Sequence, residues 1–275
     1  MKFELIQKDN GKLIINSEFS ELLEHNGIQT ASDLWNYSGE SVKNIRPERR
    51  TERIFFKQKE GGPPPIEAYV KRYHPTSIKE KIKAITSFHG IVKDGAKHEW
   101  DALIAFHESN LPTMIPLAVA KTADGSCNLT LGITHYMRAS EIFAELATQK
   151  GKYINARKKS LIKKIAELAR VMHNLGYAHQ DFYLVHLFIK PDENDSIYLI
   201  DLQRLIIQSE LSSRWRIKDL AQLYYSAKPF VSKRDIFYFW KTYANSNLLR
   251  NKQFIKSILS KVDKISEHDR KITKA

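Results

Sequence analysis

Two aspartates stand at the edges of two short apolar runs in GYAHQDFYLVHLFIKPDENDSIYLIDLQR, residues 176–204. Asp181 precedes the first run, and Asp201 ends the second. His186 follows Asp181 at the start of the first run. A lone carboxylate beside a strand reads either as a surface turn residue or as a ligand for a hard cation, which prefers oxygen donors. An imidazole such as His186 is a poorer partner for Mg²⁺, is acceptable to Mn²⁺, and otherwise donates or accepts a hydrogen bond. Upstream, Lys71 falls in a strand pattern and Glu99 in a helix pattern. Taken singly, these read as a solvated strand lysine and a helix-surface charge.

The elements that must position these groups follow from periodicity. IEAYVKRY, residues 66–73, alternates Ile66, Ala68 and Val70 with Glu67, Tyr69 and Lys71. That period of two predicts a strand with Lys71 on the face opposite Val70. RIFFKQ, residues 53–58, predicts its neighbour, with the glycines and prolines of KEGGPPP as the turn between them. KDGAKHEWDALIAFHESNLP sets Ala96, Trp100, Leu103, Ile104 and His107 on one helical side, with Pro112 at the exit. Asp124-Gly125 predicts a hairpin between two further strands, because a tight primed turn needs positive φ. After Met137 the pattern turns helical. Leu161, Ile165, Leu168, Met172 and Leu175 form one stripe, and Gly176 is placed to end that helix. The stretch carrying both aspartates is then a hairpin, and three more helical segments follow.

Composition bounds the partners. The 275 residues carry 44 Lys+Arg against 31 Asp+Glu, a formal charge of +13, so phosphates in some form are expected to bind. Nucleic acid, nucleotide and an anionic membrane face all qualify on charge, but no aromatic-basic RNA signature is present, so nucleic acid is not expected. The single cysteine, Cys127, excludes an internal disulfide and a cysteine zinc site, and suits a reducing cytoplasm. No apolar run approaches the roughly 20 residues of a membrane span, and the N-terminus lacks a signal-peptide core.

The order Lys71, Glu99, Asp181, Asp201 resembles the protein kinase-like fold. HQD stands where such kinases have His-Arg-Asp, and IDL where they have Asp-Phe-Gly. HQDFYLVHLFI with IYLIDLQR, together with YVKRYH, GAKHEW, TERIFF and WRIKDLAQLYYSA, is similar to the lipopolysaccharide kinase family over roughly residues 27–245. Those enzymes phosphorylate heptose or Kdo sugars of the inner core. The resemblance implies an α+β, two-lobed fold with a strand-rich N-lobe at 39–137 and a helical C-lobe at 138–275, and residues 1–38 are read as a preceding extension. It implies ATP as phosphoryl donor, Mg²⁺ or Mn²⁺ as the metal, and a lipid-anchored carbohydrate acceptor. It implies a cytoplasmic enzyme with peripheral contact to the anionic inner membrane. Residue by residue, it implies Asp181 as the catalytic aspartate, Asp201 and His186 as metal ligands, Lys71 on the phosphates and Glu99 as its partner. Asp219 in KDLA corresponds to a buried helix aspartate that braces the catalytic loop, and His179 to a structural brace. Phosphoryl transfer asks a protein for charge neutralisation and in-line positioning more than for covalent chemistry, which suits this set.

The sequence departs from the kinase pattern in three places. No GxGxxG lies between the first two strands. The basic RPERRTE replaces it, so Arg49, Arg50 and Arg53 are expected to contact phosphate by charge. Gln180 stands in place of the HRD arginine that reads activation-loop phosphorylation. Only about ten residues separate Asp201 from the next helix, too few for a peptide-docking platform, which points to a small or carbohydrate acceptor. The competing readings are a small-molecule kinase of the aminoglycoside or choline type, and a nucleotide-binding pseudokinase. Retention of all four polar residues argues against the latter.

Overall fold

The computed structural model describes residues 2–46, 49–58, 64–74, 95–191, 194–244, 248 and 251–273, and the chain divides into two units, Met1–Thr134 and His135–Ala275. The turn expected at Gly61-Gly62, and Asp192 and Glu193 of the later hairpin turn, lie outside the described residues.

The first unit is built on a seven-stranded sheet of order β1-β2-β6-β7-β5-β4-β3. Its strands are β1 (Leu5–Lys8), β2 (Leu13–Asn16), β3 (Glu40–Arg46), β4 (Arg49–Phe56), β5 (Ile66–Tyr73), β6 (Pro116–Lys121) and β7 (Ser126–Leu131). Side chains of β6 and β7 are buried along nearly their whole length, as central strands covered on both faces require. On one face Leu13, Ile15, Ala68, Val70 and Leu129 pack with Leu23, Ile28 and Leu34 from helix α1 (Ser20–His25), helix α2 (Ala31–Asn36) and the loop joining them. On the other, Val119 packs with Ala96 and Trp100 of helix α3 (Gly95–Glu108), with Ile14 and Tyr73 against them. Each fully buried side chain of this size contributes about 1.5–3 kcal/mol. Residues 1–38 are therefore not an extension. They supply two strands of the sheet, with Ile14 paired to Val119, and the helices that cover one of its faces. The alternation of Leu13 and Ile15 with Ile14 lets one strand serve both layers.

The second unit is mainly helical: α4 (Ala139–Thr148), α5 (Lys152–Asn174), α6 (Ser213–Ala227), α7 (Lys233–Tyr243) and α8 (Lys252–Thr273). Of the predicted α5 stripe, Leu161, Ile165, Leu168 and Met172 are buried, while Leu175, past the helix end, is exposed. Gly176 follows with φ +82, and a Cβ there would lie 1.7 Å from the Gln208 carbonyl oxygen, so both conformation and space demand glycine. A three-stranded sheet joins β8 (Met137–Arg138), β10 (Leu187–Lys190) and β11 (Ser196–Leu199). A two-residue pair, β9 (Tyr177–Ala178) with β12 (Ile206–Ile207), ties the segment before Asp181 to the segment after Arg204. Three successive basic side chains of α5 are engaged. Arg157 binds Asp195 at 2.8 Å, Lys158 binds Asp235 at 2.9 Å, and the Lys159 ammonium lies 4.8 Å from the Tyr238 ring centre.

Candidate active site

In the first unit the strand lysine and the helix glutamate meet. Lys71 Nζ donates to Glu99 Oε1 at 2.6 Å, and Glu99 is fully buried. Tyr73, two residues along the same face of β5, donates its hydroxyl to the other oxygen, Glu99 Oε2, at 2.8 Å. Glu99 is thus held from both sides, and its carboxylate holds Lys71 in turn. Gly95 makes room for this arrangement, because a Cβ there would lie 2.3 Å from the Tyr73 ring. Beside Lys71 in the register of β7 sits Asn128, whose amide nitrogen and oxygen are both buried without a hydrogen-bond partner. Such orphaned amides are uncommon and mark a place that a water or ligand atom completes.

In the second unit the loop around Asp181 hangs on one buried carboxylate. Asp219 of α6 accepts the His179 backbone N–H at 2.7 Å and the Gln180 backbone N–H at 2.8 Å. His173 Nε2 lies 3.2 Å from the same carboxylate, and His173 Nδ1 lies 2.8 Å from the Tyr243 hydroxyl. These bonds hold Gln180 at φ +70, a left-handed conformation that is uncommon for a side-chain-bearing residue. Asp201 is held likewise at φ +65. His179 is fully buried, and burial pushes its imidazole below the usual range, so it is neutral. Its Nε2 faces the Ile200 carbonyl at 2.9 Å and therefore carries the proton, leaving Nδ1 to accept the Asp181 N–H at 3.2 Å. One ring thus braces the backbone at Asp181 and next to Asp201.

His186 makes the second link. Its Nδ1 donates to the Asp181 backbone carbonyl at 2.6 Å, which leaves the Nε2 lone pair 3.9 Å from the Asp201 carboxylate. A histidine whose far nitrogen is fixed by a carbonyl is the arrangement metal-ligating histidines use. Asp201 and His186 supply two donors. No group of three or more His, Cys, Asp or Glu fit to hold a metal occurs among the described residues. The Asp201 carboxylate suits Mg²⁺, which is ordinarily held by one or two carboxylates together with substrate phosphates, while the His186 imidazole suits Mn²⁺ better.

The profile of the lipopolysaccharide kinase (Kdo/WaaP) family matches residues 32–243. The chain belongs to that family. A lipopolysaccharide core heptose(I) kinase WaaP of Escherichia coli is 31% identical over 187 residues, 64% of this chain and 69% of that protein. The protein of the same name in Pseudomonas aeruginosa is 29% identical over 158 residues, 54% of this chain and 59% of its own length. A solved structure of WaaP in complex with acyl carrier protein matches with a TM-score of 0.68 at 22% identity, over 95% of this chain and 98% of that one, and establishes the kinase-like fold. As a lipopolysaccharide kinase, this protein transfers a phosphoryl group to a sugar hydroxyl.

Within this lipopolysaccharide kinase the structure brings Lys71 to Glu99, and Asp181 to His186 and Asp201. Arg50 does not join them. It lies in β4 opposite Arg72, on the face away from Lys71, and is ion-paired with Glu52. The expected basic loop is in fact strand from Arg49 onward, and its period of two turns Arg50 away while Arg49 and Arg53 share the Lys71 face. Arg53 is already bound to Glu40 at 2.6 Å. Sequence reasoning also missed Tyr73 and Arg204. Arg204 Nη1 donates to both oxygens of Asp181, at 3.0 and 3.1 Å. Tyr73 was legible in principle, since it lies two positions from Lys71 and so on its face. Arg204 depends on the β9–β12 pairing, which no local pattern announces.

Proposed function

We propose that this kinase transfers the γ-phosphoryl group of ATP to a hydroxyl of a heptose in the lipopolysaccharide inner core, as the names of its relatives suggest. Asp181 orients the acceptor hydroxyl and draws off its proton. Asp201 and His186 hold Mg²⁺, which when bound neutralises phosphate charge. Lys71, aligned by Glu99, takes the phosphate oxygens. The observation that carries this reading is the His186 bridge. One ring bonds the backbone of Asp181 and presents its other nitrogen to Asp201, so proton acceptor and metal ligand are set by a single side chain. Free aminoglycoside- or choline-type acceptors are not favoured by the family match. The decisive experiment compares two variants. Asp181→Asn is expected to lose turnover on heptose acceptor while keeping ATP affinity, and Asp201→Ala to lose metal-dependent ATP binding in titration calorimetry. Near wild-type turnover in the first, or unchanged MgATP affinity in the second, removes that residue from its role.

A partner follows from one further feature. The second unit holds a cavity of about 370 Å³ lined almost wholly by apolar side chains, among them Phe143, Leu220 and Trp240. Phe237 and Leu259 line it as well and are exposed. We infer that an acyl carrier protein binds this chain as it does the related WaaP, with its acyl chain in that cavity. Each buried CH₂ adds about 0.8 kcal/mol. Purification with and without acylated carrier, followed by mass spectrometry, tests this: equal recovery and thermal stability in both would count against it. No helix among the described residues is long and apolar enough to cross a membrane. Contact with the cytoplasmic face is therefore proposed as peripheral, through basic residues of α8 that each contribute about 1 kcal/mol near an anionic surface. Sedimentation that is equal with anionic and neutral vesicles would end that proposal.

A further inference from the structure

Beside Asp181 the helical unit carries a set of groups that transfer of the phosphoryl group does not itself require. Arg204 uses only Nη1 to bind Asp181, and its side chain is 46% exposed. Its backbone carbonyl accepts Gln180 Nε2 at 2.6 Å. On the other end of the same amide, Gln180 Oε1 accepts Lys218 Nζ at 3.3 Å. The Lys218 ammonium in turn lies 5.7 Å from the ring centre of Trp215, and the Arg214 guanidinium lies 4.9 Å from it. Hydrogen bonds and ring contacts therefore run without a break from Asp181 through Arg204, Gln180 and Lys218 to Trp215.

Two features of this chain call for a ligand. Lys218 is half-buried, and the only hydrogen bond its ammonium makes among the described residues is to a neutral amide. Burial first, and then the charge of Arg204, push its ammonium down to about 8. A half-buried ammonium without a direct carboxylate partner is destabilised, and groups perturbed in this way concentrate at functional sites. Arg204, for its part, presents a planar fork of which Nε and Nη2 make no hydrogen bond among the described residues. That fork is shaped for a carboxylate or phosphate. Trp215 adds a half-buried aromatic face of the kind that packs against the apolar side of a ring while its rim stays polar.

We propose that Arg204, Lys218 and Trp215 form an acceptor subsite that binds an anionic group, carboxylate or phosphate, carried by the sugar acceptor close to its reacting hydroxyl. The subsite rests on the reading of Asp181 as the residue that orients that hydroxyl. Arg204 joins the two, because one guanidinium touches Asp181 and keeps two donors for the anion. Trp215 supports the ring that bears the anion, and Lys218 closes the site from the α6 side. An acceptor that lacks the anion leaves the Lys218 ammonium and the Nε and Nη2 donors of Arg204 without it, and is disfavoured for that reason.

The test crosses protein variants with acceptor variants. The probe is deacylated lipopolysaccharide core oligosaccharide in three forms: untreated, carboxyl-reduced and dephosphorylated. Lys218→Met is expected to raise the acceptor KM roughly tenfold on untreated core, the worth of one charge-assisted hydrogen bond, while the KM for ATP stays put. The treatment that removes the bound anion should raise the wild-type KM by a similar factor and make Lys218→Met harmless on that substrate. Which treatment does so tells carboxylate from phosphate. Lys218→Arg should retain most of the affinity, and Trp215→Leu provides a second probe should Lys218→Met fail to fold. The groups that face Lys218 are Arg204, Asp181, Asp219 and Lys261. Loss of the Lys218 proton should therefore raise the wild-type acceptor KM as pH climbs past about 8, a rise absent in Lys218→Met. Equal losses for Lys218→Met on all three core forms would overturn the subsite and leave Lys218 a structural brace of Gln180. Asp181→Asn is assayed alongside. Full turnover there defeats the underlying reading of Asp181, whereas an inactive Asp181→Asn with an indifferent Lys218→Met defeats the subsite alone.

Discussion

Replacing Asp219 by asparagine changes one atom and tests how the catalytic loop is held. The carboxylate offers one oxygen to the His179 N–H and the other to the Gln180 N–H, with His173 alongside the first. Asparagine keeps one oxygen and turns an NH₂ toward whichever backbone N–H is left. That buried donor, unpaired, costs about 1–3 kcal/mol, and the surviving bond falls from charge-assisted to neutral, about 1 kcal/mol more. The sum is about 3 kcal/mol, which lowers Tm by about 6–12 °C for a chain of this size. Activity should fall further than stability explains. Gln180 is kept at positive φ by these bonds, and Asp181 is the next residue, so release of the loop displaces the carboxylate proposed to orient the acceptor hydroxyl. A shift near 1 Å lowers turnover on the order of 100-fold. Differential scanning fluorimetry gives the first number, and kcat measured well below the shifted Tm gives the second. The KM for ATP should change less than kcat, because Lys71 and Glu99 are untouched and Asp201 is reached only through His179. A variant with Tm within roughly 2 °C of wild type and kcat nearly unchanged would refute the brace.

Two further outcomes follow from the geometry. Gly176→Ala forces a Cβ into the Gln208 carbonyl at positive φ, and the Gln208 N–H bond to the Gly176 carbonyl at 3.0 Å must lengthen. A loss above about 2 kcal/mol is expected in urea denaturation, and a loss below about 0.5 would show that β9 and β12 separate freely. His179 is buried neutral, with its folded pKa below the unfolded 6.5, so it contributes stability that is present above pH 6.5 and lost as pH falls. His107 is depressed in the same direction by burial, so both act in this window. The urea midpoint should decline from pH 6.5 toward 5, above the range where most carboxylates titrate, and less steeply in His179→Gln. Identical slopes in the two proteins would mean that folding does not depress His179.

What could be read from the chain follows the reach of each interaction. The Lys71–Glu99 pair rests on a strand period and a helix period, both local. That the two aspartates lie close to His186 was legible because they flank one hairpin, where spacing in sequence is nearly spacing in structure. Asp219 was read from its place in the family pattern, and its two backbone bonds span about forty residues that no periodicity measures. Residues 1–38 were misassigned for the same reason. Leu13, Ile14 and Ile15 look like a free-standing strand until Ile14 meets Val119, about a hundred residues on. Long-range pairing leaves no mark in the local pattern of either strand. Arg50 fails differently. The basic run was visible, but where β4 begins decides which arginines face Lys71, and a shift of one residue reverses every one of them. The same logic explains Arg204. Its partner Asp181 is twenty-three residues away, and only the β9–β12 pair brings them within 3.0 Å. The groups proposed to select this kinase's acceptor are therefore ones its motifs do not announce. They are placed by a small strand pair and by the face of α6, whereas the chemistry proposed as common to kinases falls to the motif residues.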